Sequence, residues 1–193
     1  MRDILTFAGL VVLFVLVGLM INRGFTLSGH NTASMTPTFS LTSSAFKASE
    51  SIPSHYTCDG TQASPPLTIA NAPAGTKSFA LIVEDPDVPK QVKPDGVFLH
   101  WLVFNIPASI TEITEGAQIG IMGANGAGKN AFAGPCPPPQ YEPSQHRYFF
   151  TLYALDSELS LKAGASKAAV VKAMDGHILD QAELIGTYKR IAK

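Results

Sequence analysis

The stretch Gly134–Asp156 reads GPCPPPQYEPSQHRYFFTLYALD and joins two kinds of sequence that rarely occur together. It opens with a proline-locked loop that can donate few backbone hydrogen bonds. From Tyr148 to Leu155 it is rich in aromatic and β-branched residues, which is typical of a buried strand. His146 and Arg147 place an imidazole and a guanidinium at the junction. Loops held by a sheet often carry binding residues, so this junction is either a candidate site or only a stiff turn before a core strand.

The composition favours one β-rich domain with a full apolar core. The chain has 193 residues, 46% of them hydrophobic, which allows a domain of ordinary size and an appendage. Its 14 prolines and 16 glycines indicate many turns and short strands. A net charge of -1 argues against a nucleic-acid partner and against a polybasic membrane patch.

The appendage is the amino-terminal run over residues 4–21, ILTFAGLVVLFVLVGLMI, in which Thr6 is polar and nothing is charged. A helix of this length spans about 27 Å, enough for the hydrocarbon core of a bilayer. A cleaved signal peptide is the alternative, but its apolar part is usually shorter and a small-x-small cleavage site should follow. The residues that follow, 22–25, read NRGF. We therefore predict an uncleaved transmembrane anchor over residues 1–23.

Residues 24–37 are small, polar and aperiodic, and predict a flexible tether to a domain over residues 38–193. The amino terminus and Arg2 precede the apolar run, and Arg23 alone follows it closely. This slight bias predicts a single-pass protein with its domain on the periplasmic or extracellular side. Cys58 and Cys136 fit an oxidising compartment if they are paired, and are otherwise two separate buried thiols.

Two nearly continuous apolar runs, Ser78–Val83 and Phe98–Ile106, predict strands that are buried on both faces. Residues from Phe39 alternate as in a strand, whereas Thr111–Asn130 is rich in glycine and predicts a loop. The two-residue period places four side chains of the second run on one face, namely His100, Leu102, Phe104 and Ile106.

The carboxyl-terminal part predicts one helix and a final strand. The helix covers Ser166–Met174, with Ser166 as its N-cap and Gly176 as its stop. The final strand is predicted over Leu184–Ile191. Together with the earlier runs, these elements predict a mainly β domain with one or two short helices.

Consecutive strands joined by a short loop usually pair antiparallel, so the end of Ser78–Val83 should lie beside the start of Phe98–Ile106. Asp85 and Asp87 then share one sheet rim with His100. If the third strand enters from the same rim, His146, Arg147 and Tyr148 join them, with Arg147 pointing the opposite way by the two-residue period. Such a convergence beside a rigid loop is the default hypothesis for a binding site.

The segment 123–130, GANGAGKN, resembles a phosphate-binding loop but fails at its last position. Asn130 stands where a Ser or Thr hydroxyl should hold magnesium. No apolar strand precedes the segment and no helix follows it. We therefore predict that it is not a nucleotide site.

Several motifs in order resemble the phosphatidylethanolamine-binding protein family, in particular its bacterial Raf-kinase-inhibitor-like branch. They are Asp85-Pro86-Asp87-Val88-Pro89, His100–Pro107, Gly134–Pro138 and His146-Arg147-Tyr148, with further matches at Tyr56–Gly60 and from Gly176 to Tyr188. The resemblance covers residues 39–190. It implies a large antiparallel sheet packed with a smaller sheet and short peripheral helices.

The resemblance also implies a binding module with a small pocket for phosphate or a phosphorylated lipid head group, rather than an enzyme, and a protein target that it inhibits. No cofactor or metal is implied. A disulfide between Cys58 and Cys136 is expected from the blocks that hold them. The ligand-binding residues carried over by motif are Asp85, Asp87, His100, Gly134, Pro135, His146 and Tyr148.

The chain departs from the family pattern beside the pocket. Phe132-Ala133 replaces the usual aromatic-glycine step, and the insertion Gln140–Gln145 lengthens the segment before His146. Both differences bear on the identity of the ligand.

Two enzymatic alternatives remain open at this level. The Asp and His side chains at one rim could bind a divalent ion and make a metal-assisted hydrolase, although no compact pair such as H-x-H is present. A Cys136 nucleophile assisted by His146 is the other alternative, and it requires that Cys136 is not in a disulfide.

Overall fold

The computed structural model describes residues 37–190, which belong to one compact unit, Pro37–Lys193. The predicted anchor over residues 1–23 and nearly all of the tether lie outside the described residues. Within the described range, no helix is both long and apolar enough to cross a membrane.

The described residues form two antiparallel sheets, one α-helix and one 3-10 turn, Ser54–Tyr56. The larger sheet has the order β6-β4-β3-β7-β8, and the smaller has the order β1-β2-β5. The strands are β1 Ser40–Thr42, β2 Leu67–Ala70, β3 Ser78–Asp85, β4 Phe98–Pro107, β5 Glu112–Ile113, β6 Ile121–Met122, β7 Gln145–Leu155 and β8 Ile178–Lys189, and the helix is α1 Lys167–Met174. The predicted mainly β class with a large and a small antiparallel sheet is confirmed.

The central strand β3 is buried along almost its whole length because apolar layers cover both of its faces. On one face, Phe79, Leu81 and Val83 belong to a core that includes Leu41 and Ile69 of the smaller sheet. On the other face, the core contains Ala80, Ile82, Leu102, Val170 and Met174, the last two from α1. The continuous apolar run Ser78–Val83 thus marks the middle strand of a three-layer domain.

The helix begins and ends as predicted. The Ser166 side chain accepts a hydrogen bond from the Ala169 N–H at 3.3 Å, which satisfies one of the free donors of the first turn. Gly176 has a φ of 76° just beyond the last turn, a conformation that glycine adopts without steric cost.

Several strand boundaries differ from the predictions. β8 begins at Ile178, six residues before the predicted Leu184. The hydrophobic pattern does not mark this start, because the first four residues of β8 are exposed and carry no apolar alternation. β7 begins at Gln145 rather than Tyr148. The predicted loop Thr111–Asn130 contains the two-residue strands β5 and β6, which are too short to show a period.

The prediction that His100, Leu102, Phe104 and Ile106 share one face is wrong for Ile106 and for His100. Leu102 and Phe104 belong to the core under α1, whereas Ile106 lies in the core facing the smaller sheet. An extra residue in β4 between the pairs Phe79–Ile106 and Leu81–Val103 shifts the register. Asn105 takes a φ of 53° there, and its side chain bonds Leu159 N and O at 2.7 and 2.9 Å.

A second bulge re-aims His100. Val83 pairs with Trp101 and Glu84 pairs with Leu99, so His100 is an extra residue in β4. Bulges bend a strand and redirect side chains, often beside functional sites. His100 accordingly packs edge-on against Tyr148, which belongs to the core facing the smaller sheet, and not beside Leu102 and Phe104.

We expect Asn105→Ala to lower the free energy of unfolding by about 2–4 kcal/mol, since it removes two hydrogen bonds and places a Cβ at positive φ. Asn105→Gly removes the same hydrogen bonds but tolerates the backbone conformation, and should cost less. Urea unfolding of the two variants measures the difference. An alanine variant at least as stable as the glycine variant would contradict the proposed role of the backbone.

Candidate functional site

Three strand ends meet at one rim of the larger sheet. Asp85 is the last residue of β3, His100 lies near the start of β4, and His146 lies near the start of β7. Both β4 and β7 run antiparallel to β3, one on each side of it. The prediction that Asp85, His100 and His146 lie at one rim of the sheet is therefore confirmed.

The centre of the rim is a buried carboxylate–imidazole pair. His146 Nδ1 lies 2.7 Å from Asp85 Oδ2, and the two side chains are 1% and 4% exposed. The second oxygen of Asp85 accepts a hydrogen bond from the Asp87 N–H at 2.8 Å. Because a carboxylate only accepts, Nδ1 of His146 carries the hydrogen, and Nε2 is the nitrogen left for a ligand.

His100 ties the proline loop to β4. Its Nδ1 lies 2.6 Å from the Ala133 carbonyl oxygen, and the Ala133 N–H donates to the His100 carbonyl at 2.9 Å. Burial lowers the pKa of His100, which favours the neutral ring. In that state Nδ1 donates to Ala133 and Nε2 is an acceptor.

Two buried polar atoms at this rim have no hydrogen-bond partner among residues 37–190, namely His146 Nε2 and the Tyr148 hydroxyl. Burial, followed by the charges of Asp85 and Asp87, raises the pKa of Tyr148, so that its phenol stays neutral and can donate. The Asp85 carboxylate is near enough to contribute to this shift, but no hydrogen bond of standard geometry joins it to the phenol. Buried polar atoms are paired in nearly all native structures, so each exception needs an explanation. A ligand that accepts a hydrogen bond from the phenol is one such explanation.

A cavity of about 370 Å³ opens at the rim. Four of the predicted site residues line it, and the disulfide residues form part of its wall. Its lining consists of Asp85, His100, Gly134 and His146, of Cys58, Cys136 and Gln62, and of the apolar residues Val88, Val92, Phe98, Ala133, Pro137 and Pro138.

The loop that begins at Gly134 is held close to the 3-10 turn. A disulfide joins Cys58 to Cys136 with a Cα–Cα distance of 5.4 Å, and the Cys58 N–H donates to Pro135 O at 3.0 Å. A Cβ on Gly134 would lie 2.9 Å from the Tyr56 carbonyl oxygen, so only glycine fits this approach. The expected disulfide is confirmed, and it excludes a Cys136 thiolate nucleophile in this form of the protein.

Gly134 also offers a donor. Its N–H has no hydrogen-bond partner in the described part of the chain. Backbone N–H groups at a cavity wall are common ligands of anions. Gly134 thus adds a third unsatisfied polar atom beside those of His146 and Tyr148.

Three predicted ligand residues lie outside the lining. Asp87 accepts hydrogen bonds from Arg147 N, Nε and NH2 at 2.9, 2.8 and 2.7 Å, and these hydrogen bonds lower the pKa of Asp87. Arg147 is half exposed and stacks over the Phe149 ring, away from the cavity. Tyr148 lies behind His100, and Pro135 is buried beside the disulfide. Their roles as ligands remain predictions.

Sequence reasoning missed the apolar part of the wall. Val88 and Val92 belong to the loop between β3 and β4, where no periodicity shows which side chains turn inward. The sequence pattern places Phe98 at the start of a strand and gives no sign that its side chain lines a cavity. Gln62 has a positive φ of 58° in an irregular loop and carried no signal.

The segment 123–130 is closed to phosphate by its own side chain. Asn125 is buried, and its Oδ1 accepts hydrogen bonds from the N–H groups of Ala127 and Lys129 at 2.9 and 3.0 Å. The Gly126 and Gly128 N–H groups donate to the carbonyls of Leu99 and Asn125. The amides that would cradle a phosphate are therefore already used, which agrees with the prediction.

No group of three or more His, Cys, Asp or Glu side chains converges to hold a metal ion anywhere in residues 37–190. At the rim, Asp85 and His146 bind one another and His100 binds Ala133. The metal-assisted hydrolase consequently gains no support from the arrangement of the site.

The sequence from residue 42 to residue 189 matches the family model described as phosphatidylethanolamine-binding protein. The chain belongs to the phosphatidylethanolamine-binding protein family. A UPF0098 protein from Chlamydia pneumoniae is 48% identical over 151 residues, covering 78% of this chain and 98% of its own. A UPF0098 protein from Methanothermobacter thermautotrophicus is 45% identical over 157 residues, with coverages of 78% and 98%.

Solved structures agree with this assignment. A putative phosphatidylethanolamine-binding protein homologue from Chlamydia trachomatis superposes with a TM-score of 0.76 at 45% identity, covering 79% of this chain and 98% of its own. YbcL of E. coli, described as a new member of the mammalian PEBP family, gives a TM-score of 0.70 at 30% identity, with coverages of 79% and 99%. The family resemblance is thus confirmed, with UPF0098 proteins and YbcL among the relatives.

The burial of neutral His100 makes the stability of the fold depend on pH. Its pKa lies below the ordinary 6.5 in the folded chain, so the unfolded chain takes up the proton first as the pH falls. His100 therefore stabilises the fold above about pH 6.5, and this contribution declines by up to about 1.4 kcal/mol per pH unit below that value.

We expect His100→Gln to lose less stability than the wild type between pH 7 and pH 5.5, because glutamine does not titrate. Urea unfolding at both pH values measures the two slopes. Identical slopes would show that His100 takes up its proton in the folded chain as readily as in the unfolded one.

Proposed function

We propose that the domain is an anion-binding module that takes phosphate or a phosphorylated head group in the cavity lined by Asp85, His100 and His146. The observation that carries this proposal is the buried and unpartnered His146 Nε2 in the lining of that cavity, with the unpartnered Tyr148 hydroxyl behind the His100 ring. The neutral phenol and the Gly134 N–H supply two donors. His146 Nε2 supplies a third when the ring is protonated.

The charge of Asp85 limits which anions bind. A buried carboxylate repels phosphate unless a proton on His146 offsets its charge. With His146 protonated, the Asp85–His146 pair has no net charge and its Nε2–H points to a ligand.

A zwitterionic head group resolves the same conflict at neutral pH. The phosphate of phosphoethanolamine contacts the donors, while its ammonium group interacts with Asp85. Asp87 is less suited to this role because Arg147 already bonds both of its carboxylate oxygens. The cavity volume of about 370 Å³ lies in the range of small-molecule sites.

The cavity walls suit a ligand that continues beyond its phosphate. Val88, Phe98, Pro137 and Pro138 form apolar walls around the polar floor, and the mouth carries the exposed Val92. A lipid head group with its glycerol part and a phosphorylated segment of a protein both combine a charged phosphate with less polar groups beside it. Because a phosphorylated protein segment suits the cavity, we also propose that the domain inhibits a protein target.

Calorimetry with inorganic phosphate and with phosphoethanolamine tests the proposal. We expect Tyr148→Phe to weaken phosphate binding by about tenfold or more, since a hydrogen bond to a charged group contributes about 1.5–3 kcal/mol. Its stability should not fall, because the variant removes a buried hydroxyl that has no partner. His100→Ala should weaken binding as well, because it releases the Ala133 carbonyl that His100 holds next to Gly134.

Tyr188→Phe is the matched control. It removes a hydroxyl that bonds Asp59 at 2.8 Å outside the cavity lining, so it should lower stability and retain phosphate affinity. Equal heats from the wild type, His100→Ala and Tyr148→Phe would remove the proposed site.

We also propose that residues 4–21 anchor the chain in a membrane, with the domain on the periplasmic or extracellular side. The support is the uncharged apolar run and the slight positive bias before it. The full chain should sediment with membranes, and a chain that begins at residue 24 should not. External protease should digest the domain in spheroplasts that retain an intact inner membrane. Protection of the domain would reverse the proposed orientation.

A further inference from the structure

The disulfide residues Cys58 and Cys136 belong to the wall of the anion cavity, so a group attached to either sulfur would compete with a ligand. The two residues differ in access. Cys136 is exposed on the proline loop, whereas Cys58 is half-buried behind the 3-10 turn. A thiolate approaching from solvent therefore meets Cys136 first.

The disulfide is also the main tether of the proline loop. Four of the seven residues from Gly134 to Gln140 are prolines, which have no N–H to donate. Within the described chain, one backbone hydrogen bond, from Cys58 N to Pro135 O, joins this loop to the rest of the domain. Breaking the S–S bond leaves the loop with that hydrogen bond and its apolar contacts alone.

Movement of this loop would alter the polar groups of the cavity. The unpartnered N–H of Gly134 is part of the loop, and the preceding Ala133 carbonyl fixes the His100 ring at 2.6 Å. The covalent state of Cys136 therefore affects both the space in the cavity and the direction of its donors and acceptors.

We propose that Cys136 is a thiol-exchange site through which low-molecular-weight thiols close the anion cavity. A thiol first gives its proton to water, and its thiolate attacks Sγ of Cys136. The new S–S bond forms as the Cys58–Cys136 bond breaks. Cys58 leaves with the electron pair and takes a proton from water. One disulfide replaces another, so no external oxidant or reductant is required.

This inference rests on the proposed function only for its effect on phosphate. The attachment of the thiol to Cys136 is a separate claim about the chain itself. The mixed disulfide places its substituent in the cavity of about 370 Å³ and releases the loop. By linkage, bound phosphate should disfavour the adduct by the same factor by which the adduct disfavours phosphate.

The test uses the full chain in detergent with glutathione as the thiol. Intact mass and peptide mapping under native conditions should show one glutathione per chain, attached to Cys136, with Cys58 as a free thiol. Calorimetry with inorganic phosphate should show an affinity at least about tenfold weaker for the adduct, within the range of coupling between sites. Removal of glutathione and reoxidation should restore the affinity.

S-methylglutathione, which has no thiol and cannot exchange, controls for non-covalent competition on the wild type. It should not change the phosphate affinity, and an equal loss with this compound would overturn the proposal. So would the absence of an adduct on the folded wild type, attachment at Cys58, or an adduct with unchanged affinity. If the oxidised wild type does not bind phosphate, the proposed function fails, while the mapping still decides the exchange site.

Discussion

The site depends on the buried pair between Asp85 and His146. It joins the end of β3 to the start of β7, where the two strands separate into loops. Removing one partner would leave a buried polar group without its hydrogen bond, a loss of about 1–3 kcal/mol. Because Nδ1 is bonded to Asp85, the direction of Nε2 is fixed as well. One contact therefore both closes the sheet rim and orients a nitrogen toward the cavity.

The wall on the other side is built by different means. The close approach that only Gly134 permits, the cross-link to Cys58 and the contact between Ala133 and His100 hold a loop that can form few backbone hydrogen bonds. Sheet pairing positions the carboxylate and the imidazoles, whereas covalent and steric constraints position the loop. The cavity lies where these two kinds of constraint meet. The strand ends contribute its charged and imidazole side chains, and the loops contribute most of its apolar side chains.

Much of this arrangement could be predicted from the sequence, because continuous apolar runs and short connections determine antiparallel neighbours. That reasoning brought Asp85, His100 and His146 to one rim. It failed where the strand is irregular, since the two-residue period assumes no bulges and β4 has them at His100 and near Asn105. It also could not assign inward-facing residues in aperiodic loops, such as Val92 and Gln62, for which tertiary packing alone determines orientation.

The hydrogen bonds within the 123–130 loop affect how much conformational entropy is lost when a ligand binds. Asn125 occupies the amide cradle of its own loop, and its Nδ2 donates to the Ala131 carbonyl at 2.9 Å, next to the segment that carries Ala133 and Gly134. An internal side chain thus plays the part that an incoming anion plays in nucleotide-binding loops. The neighbouring wall is ordered before a ligand arrives, so association loses little conformational entropy there. Preorganisation of this kind would favour the proposed binding of a small anion that makes few contacts.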